Sequence, residues 1–177
     1  MFGFFKKNND KNKQNPKKPI EKDSMQLYKQ ARMTSDPKIA VKLYSDAIDV
    51  EKQKESPNRE LISEIYQWRG ELYLELQVAI LSSSDFLHSL DFNPKNAISH
   101  NNLAIWLTMP QFAKPDLDRA MEHFNKAIEL APERLDFQMS RAVIRIKNGD
   151  RETGKTELED LHSKGYENAK IAMERFL

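Results

Sequence analysis

Apolar residues recur along this chain at helical spacing. Leu117, Ala120, Phe124, Ala127, Ile128 and Ala131 fall on one face of a 3.6-residue period. Ala169, Ala172, Met173 and Phe176 form a second such stripe near the end, with charged residues between them. Boundary signals punctuate these runs. Asp36-Pro37, Ser56-Pro57 and Asn93-Pro94 each offer an N-cap residue before a proline suited to the first helical position. Gly149-Asp150 predicts one helix end and the next helix start, and Gly165 predicts a C-terminal stop after Ser163.

The stripes repeat. Gly70 and Ala104 are 34 residues apart; Phe86 and Phe124, and Pro94 and Pro132, are 38 apart, so one unit gains four residues around Pro110–Pro115. Ala104 to Ala142 is again 38, while Phe124 to Leu158 and Ala127 to Leu161 are 34. Backwards, Tyr44 precedes Phe86 by 42, the extra eight falling in the polar stretch Glu51–Glu60. Four two-helix units follow, at about 23–50, 63–94, 97–132 and 135–163, with a capping helix over 166–177. Small residues at Gly70, Ala104, Ala127, Ala142 and Gly154 allow close helix approach, and aromatics fill the space between units. One unit cannot bury its own apolar face, so the units must stack.

Tyr66, Gly70, Tyr73, Phe86 and Pro94 in one unit, and Leu103, Ala104, Ala120, Phe124, Ala127 and Pro132 in the next, resemble the tetratricopeptide repeat (TPR). The resemblance spans about residues 23–163. It implies an all-α fold, a right-handed superhelical solenoid of antiparallel helix pairs closed by a C-terminal capping helix. It also implies a concave groove lined by the first helix of each unit. In this register the lining is Glu64, Gln67, Trp68, Glu71, Ile98, Asn101, Asn102, Ile105, Met139, Ser140 and Val143. Aliphatic, aromatic and methionine side chains there suit an adaptable peptide contact. Some family members clamp an acidic C-terminal tail with lysine, arginine and asparagine. The corresponding slots here hold Gln67, Glu71, Asn102, Asp136 and Ser140, or one unit earlier Met25, Lys29, Trp68, Ile98 and Asn102, so most of the cations are missing. The chain departs from the family pattern at Gln77-Val-Ala-Ile-Leu81, where a normally polar turn is mostly apolar; this turn is expected to pack locally or to form an association surface.

Composition narrows the chemistry. The chain has 177 residues, 31% of them charged, and no cysteine, which removes disulfides, thiolate metal sites and cysteine nucleophiles. Its net charge of +1 hides an asymmetry. Residues 1–22 hold seven lysines against Asp10 and Glu21, or +5, so the other 155 residues carry 21 basic and 25 acidic groups, or −4. The first segment reads as a flexible basic tail tipped by Met1, Phe2, Phe4 and Phe5. Through Met1–Lys18 it offers weak membrane-surface contact; it is too short and too charged to span a bilayer. The chain reads as cytoplasmic, with membrane association as the alternative.

Gly149-Asp-Arg-Glu-Thr-Gly-Lys-Thr156 matches the phosphate-binding pattern G-x-x-x-x-G-K-[ST], which requires a strand before it; Ala142–Ile146 is the candidate strand. The same residues fit the repeat register, and nucleotide binding stands as a minor alternative. The four histidines lie in separate predicted helices and read as surface residues, with no catalytic or metal-binding arrangement. Neither cofactor nor nucleic-acid partner is expected. The function that follows is a non-catalytic interaction module that takes a peptide or partner helix in its groove.

Overall fold

A computed structural model describes residues 23–111 and 114–177. The basic segment 1–22, including Met1–Lys18, and Phe112–Ala113 of the insertion lie outside the described residues. The described residues form α1 (Ser24–Met33), α2 (Pro37–Lys52), α3 (Arg59–Glu75), α4 (Ala79–Phe92), α5 (Ala97–Leu107), α6 (Leu117–Leu130), α7 (Leu135–Lys147), α8 (Arg151–Ser163) and α9 (Glu167–Phe176), and no strand. Sequential helices pair as α1–α2, α3–α4, α5–α6 and α7–α8, and α9 packs on α7 and α8. The architecture is the expected all-α, TPR-like solenoid.

Corresponding slots of the units carry the core. Tyr44, Phe86, Phe124 and Leu158, one per second helix, are all buried, as are Ala47, Ser89, Ala127 and Leu161 one turn later. The helices of a unit approach closely because their facing residues are small. A Cβ added to Gly154 would lie 2.6 Å from the Ala142 carbonyl oxygen, and one added to Gly70 would lie 2.8 Å from the Phe86 ring. The stripe on α9 is buried at Ala169 and Ala172 and partly buried at Met173 and Phe176, so it closes the last unit.

Side chains, more than prolines, mark the starts of α1, α2, α3, α5 and α6. Asp36 caps α2, accepting from the amides of Lys38 at 2.8 Å and Ile39 at 3.2 Å. The other two proline signals mark the wrong residue. Asn58, not Ser56, caps α3 by accepting from Leu61 N at 3.0 Å, and Asn96, not Asn93, caps α5 by accepting from Ser99 N at 3.0 Å. In both places the proline sits in the connecting turn, where its fixed φ still suits the bend. Gly149 and Gly165 take φ of +96° and +84°, the left-handed conformation that ends α7 and α8.

Glu51, read as part of a polar stretch, is buried at the end of α2. It accepts from Ser24 Oγ, from Lys54 Nζ at 2.6 Å and from the Asn58 amide at 2.9 Å. One carboxylate thereby ties the start of α1 to the α2–α3 connection. The expected apolar turn at Gln77–Leu81 is shorter than the sequence suggests: Gln77 turns the chain at φ +59°, and Ala79–Leu81 already form the first turn of α4, with Ile80 81% exposed and Val78 and Leu81 exposed beside it.

Candidate functional site

The first helices stack side by side, with α3 against α5, α5 against α7 and α7 against α9. The lining residues divide into two groups along this row. At the α1–α3 end they form a hydrogen-bonded cluster. Glu64 is exposed and accepts from Tyr28 Oη at 2.5 Å. Trp68 is half-buried with the Arg32 guanidinium 4.1 Å above its ring. Glu71 accepts from Gln67 Nε2 at 3.1 Å and from Asn102 Nδ2 at 2.8 Å. Burial pushes the Glu71 carboxyl above its ordinary range, the Gln67 and Asn102 hydrogen bonds oppose that, and the Glu75 charge adds to it. Trp68, Glu71 and Glu75 border an open cavity of about 540 Å³ that reaches Arg32 and the α1–α2 turn.

Two of the expected lining residues turn inward. Gln67 is 3% exposed, and its Oε1 accepts from Asn96 Nδ2 at 3.3 Å. Asn101 is 7% exposed and donates to Asn102 Oδ1 at 3.4 Å. With so little surface, they support Glu71 and Asn102 from behind. The inward turn of Gln67 belongs to a polar core that sequence reasoning missed. Ser63, Ser89 and Ser99 stand in a row at 2.9 and 2.7 Å between hydroxyls, and Asn96 joins it. Three serines on one buried face of α3, α4 and α5 carried no pattern distinct from surface serines.

The other end is apolar. Ile105, Met139, Ser140 and Val143 line a cavity of about 370 Å³ with Ile144 and with Ile171, Ala172, Arg175 and Phe176 of α9. Ser140 is occupied, donating to the Asp136 carbonyl at 2.9 Å. Ile98 is half-buried one turn before Asn102. The insertion comes up beside Ile105, where Met109 and Pro110 share a further cavity with Ile144. The α9 residues of this wall were expected only to cap the solenoid; the helix does so with one face and turns Ile171, 60% exposed, toward the cavity.

The remaining candidate chemistry changes in the structure. Ala142–Ile146 is helix, not strand, and Gly154, Lys155 and Thr156 lie inside α8. Lys155 pairs with Glu159 at 3.8 Å, and Thr156 Oγ1 donates back to the Glu152 carbonyl at 3.0 Å. The phosphate-loop letters therefore run from the turn between two helices into the second, without the strand and phosphate cradle that nucleotide binding at Gly149–Thr156 requires. The histidines are not all isolated surface residues. His100 Nδ1 and His123 Nδ1 are 2.8 Å apart, and His100 Nε2 lies 3.1 Å from the Pro94 carbonyl. That carbonyl can only accept, so Nε2 carries the His100 proton and His123 Nδ1 donates to His100. Burial holds both imidazoles below their ordinary pKa. Among the described residues there is no cluster of three or more His, Asp or Glu able to hold a metal ion, and no helix long and apolar enough to cross a membrane.

No protein-family model matches this chain, and no curated protein matches it. Among solved structures, the crystal structure of MamA, a TPR-like protein, is similar with a TM-score of 0.61 over 86% of this chain and 79% of that one, at 14% identity. At that identity the likeness is one of fold.

Proposed function

We propose that this chain is a non-catalytic tetratricopeptide-type interaction module that captures a peptide or a partner helix along its concave face. The observation that carries the reading is the apolar cavity between α5, α7 and α9. There Ile105, Met139, Val143 and Ile171 leave aliphatic surface open to solvent on the face that the first helices share. A partly open apolar cleft flanked by fixed polar groups suits an amphipathic ligand. Apolar anchors would enter the cavity, and hydrogen-bonding or cationic groups would lie against Glu71, Asn102 and Glu64.

Ile105 stands where the two ends of the groove meet, so it is the sharpest position for a test. Ile105→Ala and Trp68→Ala are each expected to weaken capture of the partner from the native cell by at least about tenfold, as buried anchors do on truncation. Leu87→Ala, on the outer side of α4, is expected to leave capture unchanged. Full retention of every partner by both groove variants contradicts the reading.

A further inference from the structure

The two ends of the groove differ in chemistry, and residues 1–22 of this same chain differ in the same order. Nearest α1, the groove presents Glu64, Glu71 and Glu75 against Arg32 and the exposed Lys29 of α1, a net of one negative charge from three carboxylates and two cations. Farthest from α1 it presents the apolar cavity of Ile105, Met139, Val143 and Ile171. Reading outward from Asp23 at the start of α1, the first segment presents Lys22, Lys18, Lys17, Lys13, Lys11, Lys7 and Lys6, and then Phe5, Phe4 and Phe2. A chain laid from α1 toward α9 would meet carboxylates with its lysines and the apolar cavity with its phenylalanines.

We propose that Met1–Lys18 occupies the concave groove of its own molecule, as an internal ligand that an outside peptide must displace. Like the peptide-capture reading, this takes the concave face as the binding surface; it adds the occupant. Length permits it. Four steps between neighbouring first helices cover roughly 40 Å at the usual 8–10 Å interaxial distance. The residues between Asp23 and Phe5 span up to about 55 Å when extended. Charge favours it as well, because the segment carries +5 and the remainder −4. Glu71 adds a specific reason: it is half-buried with the Glu75 charge nearby, burial pushes its carboxyl above the ordinary range, and an approaching ammonium would offset the negative charge of both.

Tryptic cleavage after Lys13 in the full-length chain tests the proposal. Docking is expected to slow this cleavage in the wild type at least about tenfold relative to a Phe2→Ser, Phe4→Ser, Phe5→Ser variant, because cleavage follows the population of the released segment. Ile171→Asp, at a residue exposed enough to leave the core intact, is expected to accelerate cleavage equally. Higher salt is expected to accelerate cleavage in the wild type alone. Cleavage after Arg59 serves as the control for an unchanged fold. Equal rates in all three proteins overturn the proposal. Protection that grows with protein concentration assigns the groove to a second copy's segment, and protection seen only with anionic vesicles assigns the segment to a membrane; either also overturns it. The two readings fail separately. Equal cleavage rates with partner capture lost in Ile105→Ala remove the internal ligand and leave peptide capture standing. Slow wild-type cleavage with capture retained in both Ile105→Ala and Trp68→Ala does the reverse.

Discussion

The second and fourth units contain the same device at the same register, in different surroundings. In the second, Arg69 of α3 grips Asp85 of α4 through two hydrogen bonds of 2.7 and 2.8 Å and reaches Ser45 of the preceding unit at 2.8 Å. In the fourth, Arg141 of α7 meets Glu157 of α8 at 2.9 Å and Asn125 of the preceding unit at 2.7 Å. Each arginine precedes the small residue of its first helix, and each acid precedes the large apolar residue of its second. Only the first clamp is enclosed: the Arg69 and Asp85 side chains are 16% and 4% exposed, against 21% and 20% for Arg141 and Glu157. The second is also incomplete, since Arg141 Nε and Glu157 Oε2 make no hydrogen bond among the described residues. A repeated contact thus does not carry a repeated energy. The enclosed, bidentate pair ties α3 to α4, and Arg69 carries it on to Ser45 of the preceding unit, while Glu157 shares one oxygen between Arg141 and, at 3.5 Å, Arg145, so no single arginine holds it.

Arg69→Ala therefore has the largest expected effect. It strands the Asp85 carboxylate in the interior and is expected to lower stability by about 3–5 kcal/mol in urea unfolding. A loss no greater than that of Arg141→Ala would erase the distinction between the two clamps. Next comes Gly154→Ala, which drives a methyl against the backbone oxygen of Ala142 and is expected to cost about 1–3 kcal/mol. It opens the apolar end of the groove and leaves amide exchange in α3 unchanged, which sharpens the contrast between the two ends. Arg141→Ala should cost about 1 kcal/mol or less, measured by the same unfolding midpoint.

The smallest effect concerns the third unit, which has no such clamp. Leu103 and His123 fill the corresponding slots, and His123 turns to His100 instead. Both imidazoles have folded-state pKa values below the unfolded value of about 6.5. The unfolded chain therefore binds more protons as pH falls through that value, and the pair's contribution, complete above it, is lost below it. The melting temperature is expected to fall between pH 7 and pH 5.5 by more in the wild type than in a His100→Asn, His123→Asn variant. Equal falls would show that the imidazole contact carries no pH dependence.

Much of the fold was legible because its determinants are periodic. The 34-, 38- and 42-residue spacings located the buried slots at Tyr44, Phe86, Phe124 and Leu158, and the close approaches at Gly70 and Gly154. Helix starts were less legible, since Asn58 and Asn96 compete with nearby prolines as boundary signals and only the side-chain hydrogen bond decides between them. For the groove, the register indicated which face each residue occupies, but not how deep it lies. Gln67 and Asn101 share a helix face with exposed neighbours yet are buried, Gln67 under Asn96 of the next unit and Asn101 beside Asn102 of its own helix. The second wall of the apolar cavity was hidden for a different reason. Ile171 and Arg175 sit on the polar side of the α9 stripe, and only packing against α7 makes that side part of a cleft. Pairings between helices, such as Arg69 with Ser45 across two units or His100 with His123 within one, depend on the three-dimensional stack and have no local signature.

The most direct test of the central claim is site-specific photo-cross-linking in the full-length protein, with a photoreactive residue placed in turn at Ile105, at Ile171 and at Leu87. Groove binding predicts that captured partner attaches at Ile105 and Ile171 and not at Leu87. Attachment at Leu87 alone would contradict it and place the binding surface on the outer face of α4.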